Sequence, residues 1–117
     1  MNTDSYLNKQ YDKRNYNCAH FVSEVWLDLF GYDLSIQLQG FMTERRKRNA
    51  KLSELRKLKK IYEPKSPCIV WLHSKNISHV GIYLEGRILH ITEDGVKYEL
   101  LETLKLGFKK VSFYEIN

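Results

Sequence analysis

Cys18 stands where Asn17 hands over to an amphipathic run, in the stretch NYNCAHFVSEVW of residues 15–26. A thiolate is the reactive form of cysteine, and a free thiol has a pKa of about 8.5. The first turn of a helix favours negative charge through its unpaired N–H groups and aligned peptide dipoles. A cysteine there needs only a nearby imidazole to become a nucleophile. Without one it is a small buried hydrophobe. The chain offers four imidazoles, His20, His73, His79 and His90. His20 is two positions beyond Cys18, about 200° round a helix, and is expected to face solvent. His73 ends the run CIVWLH and reads as a loop residue. His79 and His90 fall together in SHVGIYLEGRILHIT, residues 78–92.

These residues need elements to position them. Val22, Val25, Trp26, Leu29 and Phe30 follow helical spacing, with Asn17 as N-cap and Gly31 just past the end, so a helix is expected over Cys18–Phe30. HVGIYL (79–84) and ILHIT (88–92) flank EGR and read as a β-hairpin. If Glu85-Gly86 is a two-residue turn, Leu84 pairs with Arg87 and Gly81 opposes His90. Both histidines then share a face as diagonal neighbours, ~7–8 Å apart at Cα. A three-residue loop would put them on opposite faces. Glycine at the second turn position favours the first register. Gly81 leaves room on that face for a side chain from elsewhere. CIVWL (68–72), GVKYEL (95–100) and KKVSFYEI (109–116) read as further strands. Residues 43–62 read as a second helix, with Leu52, Leu55 and Leu58 as a narrow apolar stripe. Helices followed by mostly antiparallel strands indicate an α+β fold.

With 117 residues, 43% of them hydrophobic, the chain suits a single domain with a real core and is not composed like a disordered one. No apolar run reaches the ~20 residues that cross a bilayer. The polar N-terminus lacks the apolar core of a secretory signal. Cys18 and Cys68 are expected to stay reduced in such a chain. The net charge is +5, but residues 44–60 hold nine Lys/Arg against Glu44 and Glu54, a local +7 that leaves the remainder at −2. That segment has no aromatic side chain, which argues against a nucleic-acid surface and for a solvated helix face.

YNCAHFV opening a helix, followed by SHVGIYLEGRILHIT, resembles the NlpC-type cell-wall peptidases, a papain-like cysteine peptidase family. The compact members encoded by tailed phages are the most similar. SPCIVWL resembles the strand before the family's catalytic histidine, and VSFYEI its closing strand. The resemblance covers about two-thirds of the chain. It implies a papain-like fold over residues 1–117, with Cys18 as nucleophile, His79 as base and His90 as the polar residue that orients the base. A tyrosine that shapes the oxyanion site is implied at Tyr11, with Tyr6 as runner-up. The implied reaction is hydrolysis of an amide in peptidoglycan stem peptides, of the γ-D-glutamyl–diamino acid type, with no cofactor and no metal. The implied partners are the peptidoglycan peptide and other phage tail proteins, without membrane. The implied location is the virion tail, or the host cytoplasm before assembly. Ala19-His20 stands where the family has Ser-Gly or Trp-Gly/His, and the family's Gly-Gly pair before the cysteine loop is absent. Two other classes compete: a catalytically silent tail module of the same fold, and a nucleic-acid binder working through residues 44–60.

Overall fold

The computed structural model describes residues 4–39, 58–75 and 77–116. It is an α+β fold in which a helix, α1 (Cys18–Phe30), precedes a six-stranded sheet. The strands are β1 (Leu58–Ile61), β2 (Cys68–Ser74), β3 (Ile77–Leu84), β4 (Arg87–Thr92), β5 (Gly95–Leu100) and β6 (Lys110–Ile116). A short helix α2 (Leu101–Leu104) and a 3₁₀ turn (Lys105–Gly107) join β5 to β6. The order across the sheet is β1-β6-β2-β3-β4-β5, and every recorded neighbour pair is antiparallel.

Helix α1 begins and ends where its sequence signals place it. The Asn17 side chain accepts from the N–H groups of Ala19 and His20, and Gly31 closes the helix in the left-handed conformation at φ 70°. Its inner face buries Phe21, Val22, Val25 and Trp26 against Ile69 and Trp71 of β2, Val80 and Ile82 of β3, and Leu89 and Ile91 of β4. Full burial of each such side chain contributes roughly 1.5–3 kcal/mol.

The sheet is covered on its second face too. Val70, Leu72, Ile88 and Leu101 form a smaller cluster there, with Phe108 and Phe113 packed against it. Strand β6 serves both faces. Tyr114 joins the core under α1, while Val111 and Phe113 join the smaller cluster.

Two expectations change here. Residues 58–61, read as the end of a second helix, form β1 and pair with β6 from Leu58↔Ile116 to Ile61↔Phe113. The apolar spacing of Leu55 and Leu58 suggested a helix, but an available sheet edge overrides local propensity. Exposed Lys59 and Lys60 mark this as an edge strand, since lysine there discourages pairing with other chains. The rest of the expected helix, 43–57, lies outside the described residues, as does most of the basic segment. His73, read as a loop residue, is a member of β2 and stacks on Trp71 with ring centroids 4.0 Å apart.

Candidate active site

The β3–β4 hairpin sets the histidines. Glu85 and Gly86 both take positive φ, 52° and 86°, the backbone of a type I′ two-residue turn. Leu84 therefore pairs with Arg87, Tyr83 with Ile88 and Ile82 with Leu89. This is the register expected from the glycine, and it places His79 and His90 on one face. Their rings touch: His79 Nε2 lies 2.7 Å from His90 Nδ1.

The close approach depends on Gly81. A Cβ at that position would stand 2.7 Å from Ile88 Cγ2 and 3.2 Å from His90 Cβ. The room foreseen at Gly81 is thus taken up by β4 itself.

The β3–β4 ladder stops at Ile82↔Leu89. Beyond it, β3 continues to Ile77 paired with β2, and β4 continues to Thr92 paired with β5. The strands lose their pairing there but stay close at Gly81, and a cavity of about 360 Å³ lies beside their unpaired ends. Tyr11, Cys18, His79 and His90 all line it. Leu104 and Phe108 wall it on one side, and the Phe108 ring lies parallel to His79 with centroids 6.5 Å apart.

This meeting differs from the expected one. The two-residue turn was expected to present both rings on the face that Cys18 meets. Strand alternation puts Val80, Ile82, Leu89 and Ile91 under α1 instead, and turns His79 and His90 to the side of the smaller cluster. Cys18, Ser78 and Ile91 come to the cavity from the α1 side, and the histidines from the other. The site is assembled where the sheet splits, not across one face of it.

Cys18 and its loop are firmly held. The Asn17 cap is reciprocal, because His20 Nδ1 accepts from the Asn17 backbone N–H at 3.1 Å. His20 is therefore half-buried at the helix start, not turned out to solvent, and burial lowers its pKa. Upstream, Asp12 and Tyr16 bond each other's backbone at 2.8 and 2.9 Å, and Asp12 Oδ1 accepts from the N–H groups of Arg14 and Asn15. The Tyr16 hydroxyl donates to Glu24 of α1, which Lys9 also pairs at 3.1 Å. Burial and that carboxylate push the Tyr16 pKa upward. Tyr11 thus leaves a loop tied to the cysteine's own helix. Tyr6, the runner-up, is buried against Phe21, bonds Asp28 at 3.2 Å and does not line the cavity.

His90 is 2% exposed, so water cannot serve as its main partner. Its Nε2 lies 2.8 Å from Glu99 Oε2 on β5. Burial lowers the His90 pKa, and Glu99 works against that shift. Glu99 was not among the residues singled out from sequence, although a signal existed. The turn at Glu93-Asp94 pairs Thr92 with Gly95, His90 with Lys97 and Ile88 with Glu99. That register makes Glu99 the diagonal neighbour of His90 on its own face.

Both cysteines are buried, and neither forms a disulfide. Cys68 starts β2, and burial pushes its thiol up to about 11. Among the described residues no group of three His, Cys, Asp or Glu side chains is placed to hold a metal ion, and no helix is long and apolar enough to cross a membrane. No family model matches the chain, and no curated protein matches it.

Proposed function

We propose that this protein is a cysteine peptidase of the papain-like, NlpC type that hydrolyses an amide bond in peptidoglycan stem peptides. The observation that carries the reading is the convergence of Cys18, at a capped helix start, with Tyr11, His79 and His90 around one cavity.

In this reading His79 takes the thiol proton and the Cys18 sulfur attacks the substrate carbonyl carbon. The oxyanion is met by the Cys18 backbone N–H and the Tyr11 hydroxyl. One such donor is worth about 3–4 kcal/mol where it has been removed in other enzymes. Collapse of the tetrahedral adduct breaks the C–N bond, and the imidazolium of His79 protonates the departing amine. A thioester remains on Cys18. His79 then deprotonates a water, which attacks that thioester and releases the carboxylic acid and the thiol. His90 orients His79 throughout. The substrate amide is of the γ-D-glutamyl–diamino acid type, and the working location is a phage tail at the cell wall. The net charge of +5 favours approach to anionic envelope polymers.

One observation favours a second reading, a silent tail module of the same fold: Cys18 is only 2% exposed. Incubation with purified peptidoglycan, with mass spectrometry of the released fragments, separates the two. The peptidase reading expects new amine and carboxyl termini at one stem-peptide bond, lost in Cys18→Ala. Identical fragment profiles for the two proteins would overturn it.

A further inference from the structure

We infer that Glu99 is a positioning residue for this site, setting the tautomer of His90 and through it the tautomer of His79. The inference rests on the peptidase reading for its consequence in turnover, but its geometry stands apart from any substrate.

The argument begins with what each atom can do. An ionised carboxylate only accepts hydrogen bonds, whereas a neutral imidazole has one donor and one acceptor nitrogen. Glu99 Oε2 lies 2.8 Å from His90 Nε2, so that nitrogen carries the hydrogen. In the neutral ring, His90 Nδ1 is then the acceptor. It lies 2.7 Å from His79 Nε2, which must therefore be the donor. The lone pair of neutral His79 is consequently on Nδ1. Reversing the first hydrogen reverses the whole series. A His90 protonated on Nδ1 would oblige His79 to accept through Nε2, and the base would lose the lone pair that takes the thiol proton.

The surroundings make Glu99 the natural control. His90 is 2% exposed and lies between β3 and β5. The charged groups facing it from β5 are Glu99 and Lys97, and Lys97 can only donate. From β3 it meets His79 itself. Glu99 is anchored in a ladder that runs unbroken from Arg87↔Leu100 to Thr92↔Gly95, so its backbone is fixed relative to that of His90. Sequence distance conceals the arrangement, because Glu99 reaches His79 only through His90.

The test compares wild type, Glu99→Ala and Glu99→Gln by ¹⁵N NMR of the histidine side chains, alongside kcat and KM on wall fragments. Wild type should show His90 protonated at Nε2 and bare at Nδ1, and His79 likewise. Glu99→Ala should give mixed tautomers at both rings. Its kcat should fall by about 10- to 100-fold, the range seen when the partner behind a metal-bound histidine is removed, with KM little changed. Glu99→Gln keeps an oxygen that accepts from Nε2–H, so it should restore the tautomers and part of kcat. A wild-type His90 protonated at Nδ1 would overturn the inference, and so would a Glu99→Ala protein with wild-type tautomers and turnover. If wild type cleaves no wall fragment, the proposed function fails alone, and the tautomer comparison still decides the role of Glu99.

Discussion

The β3–β4 and β4–β5 hairpins each turn on two residues, but they differ in turn backbone, with both Glu85 and Gly86 at positive φ in the first and Gly95 alone in the second, and they differ along their lengths. The β4–β5 ladder is zipped from the Glu93-Asp94 turn to Arg87↔Leu100, whereas β3–β4 leaves off at Ile82↔Leu89. The parted hairpin provides space, and the cavity lies beside it. The zipped hairpin provides rigidity, and His90 with Glu99 sits on it. The proposed nucleophilic site needs both, because substrate must enter while the base keeps one orientation. Sharing β4 between the hairpins places the mouth and the support on adjacent strands. The pair also separates two roles: His79 belongs to the strand that leaves the ladder, and His90 to the strand that stays.

That division can be broken at either strand. The largest effect is expected at the parting strand. His79→Ala should lower turnover of wall fragments to the background of Cys18→Ala, a loss of about 10⁴-fold or more if both act as one unit. Steady-state kinetics on a purified stem peptide measures it, and a smaller loss for His79→Ala than for His20→Ala would assign the base wrongly. At the zipped strand the loss should be smaller. His90→Ala should cost about 10- to 100-fold, and His90→Asn should recover part of it because an amide can still accept from His79. Equal, complete loss in both variants would remove the distinction between base and support.

Gly81 sits on β3 just past the last β3–β4 pair, where the lack of a side chain lets β4 stay close. Gly81→Ala puts a methyl 2.7 Å from Ile88 Cγ2, so one strand must give way. Overpacking of this kind costs about 1–3 kcal/mol. Thermal unfolding should show Tm lowered by about 4–12 °C. An unchanged Tm would mean that β3 and β4 give way more freely at Gly81 than its contacts indicate.

The smallest expected effect is a pH dependence of stability. His90 and His20 both have pKa values lowered from 6.5, with burial as the main cause. The unfolded chain therefore binds protons more readily than the folded one. Stability from these groups is fully present above about pH 6.5 and is lost as pH falls through their folded values. Urea unfolding between pH 8 and 5 should show this decline, and His90→Asn should flatten it. A decline equally steep in His90→Asn would assign the slope to other groups.

Much of this was legible because short-range chemistry decided it. Asn17 and Gly31 framed α1, and Gly86 chose a turn whose register put two histidines on one face. What escaped depended on partners distant in sequence. Leu58–Ile61 became a strand because β6 offered it an edge, which no local pattern announces. The end of the β3–β4 ladder is invisible in HVGIYL and ILHIT, since both read as continuous strands. So the side from which Cys18 enters the cavity was not available from alternation alone. Glu99 was within reach of the same register argument that found His90, applied to the next turn. His20 looked idle because a histidine in a capping box is an unusual substitute for the usual Glu or Gln.

The central proposal, that Cys18 is activated by a histidine of the cavity they share, is tested most directly by its reactivity. Iodoacetamide labelling at pH 6, followed site by site by mass spectrometry, compares the two thiols in one molecule. Cys18 should label first, because a helix start and an imidazole favour its thiolate, whereas burial pushes the Cys68 thiol up to about 11. In His79→Ala the rate at Cys18 should fall towards that of Cys68. Faster labelling at Cys68, or a Cys18 rate indifferent to His79→Ala, would contradict the account.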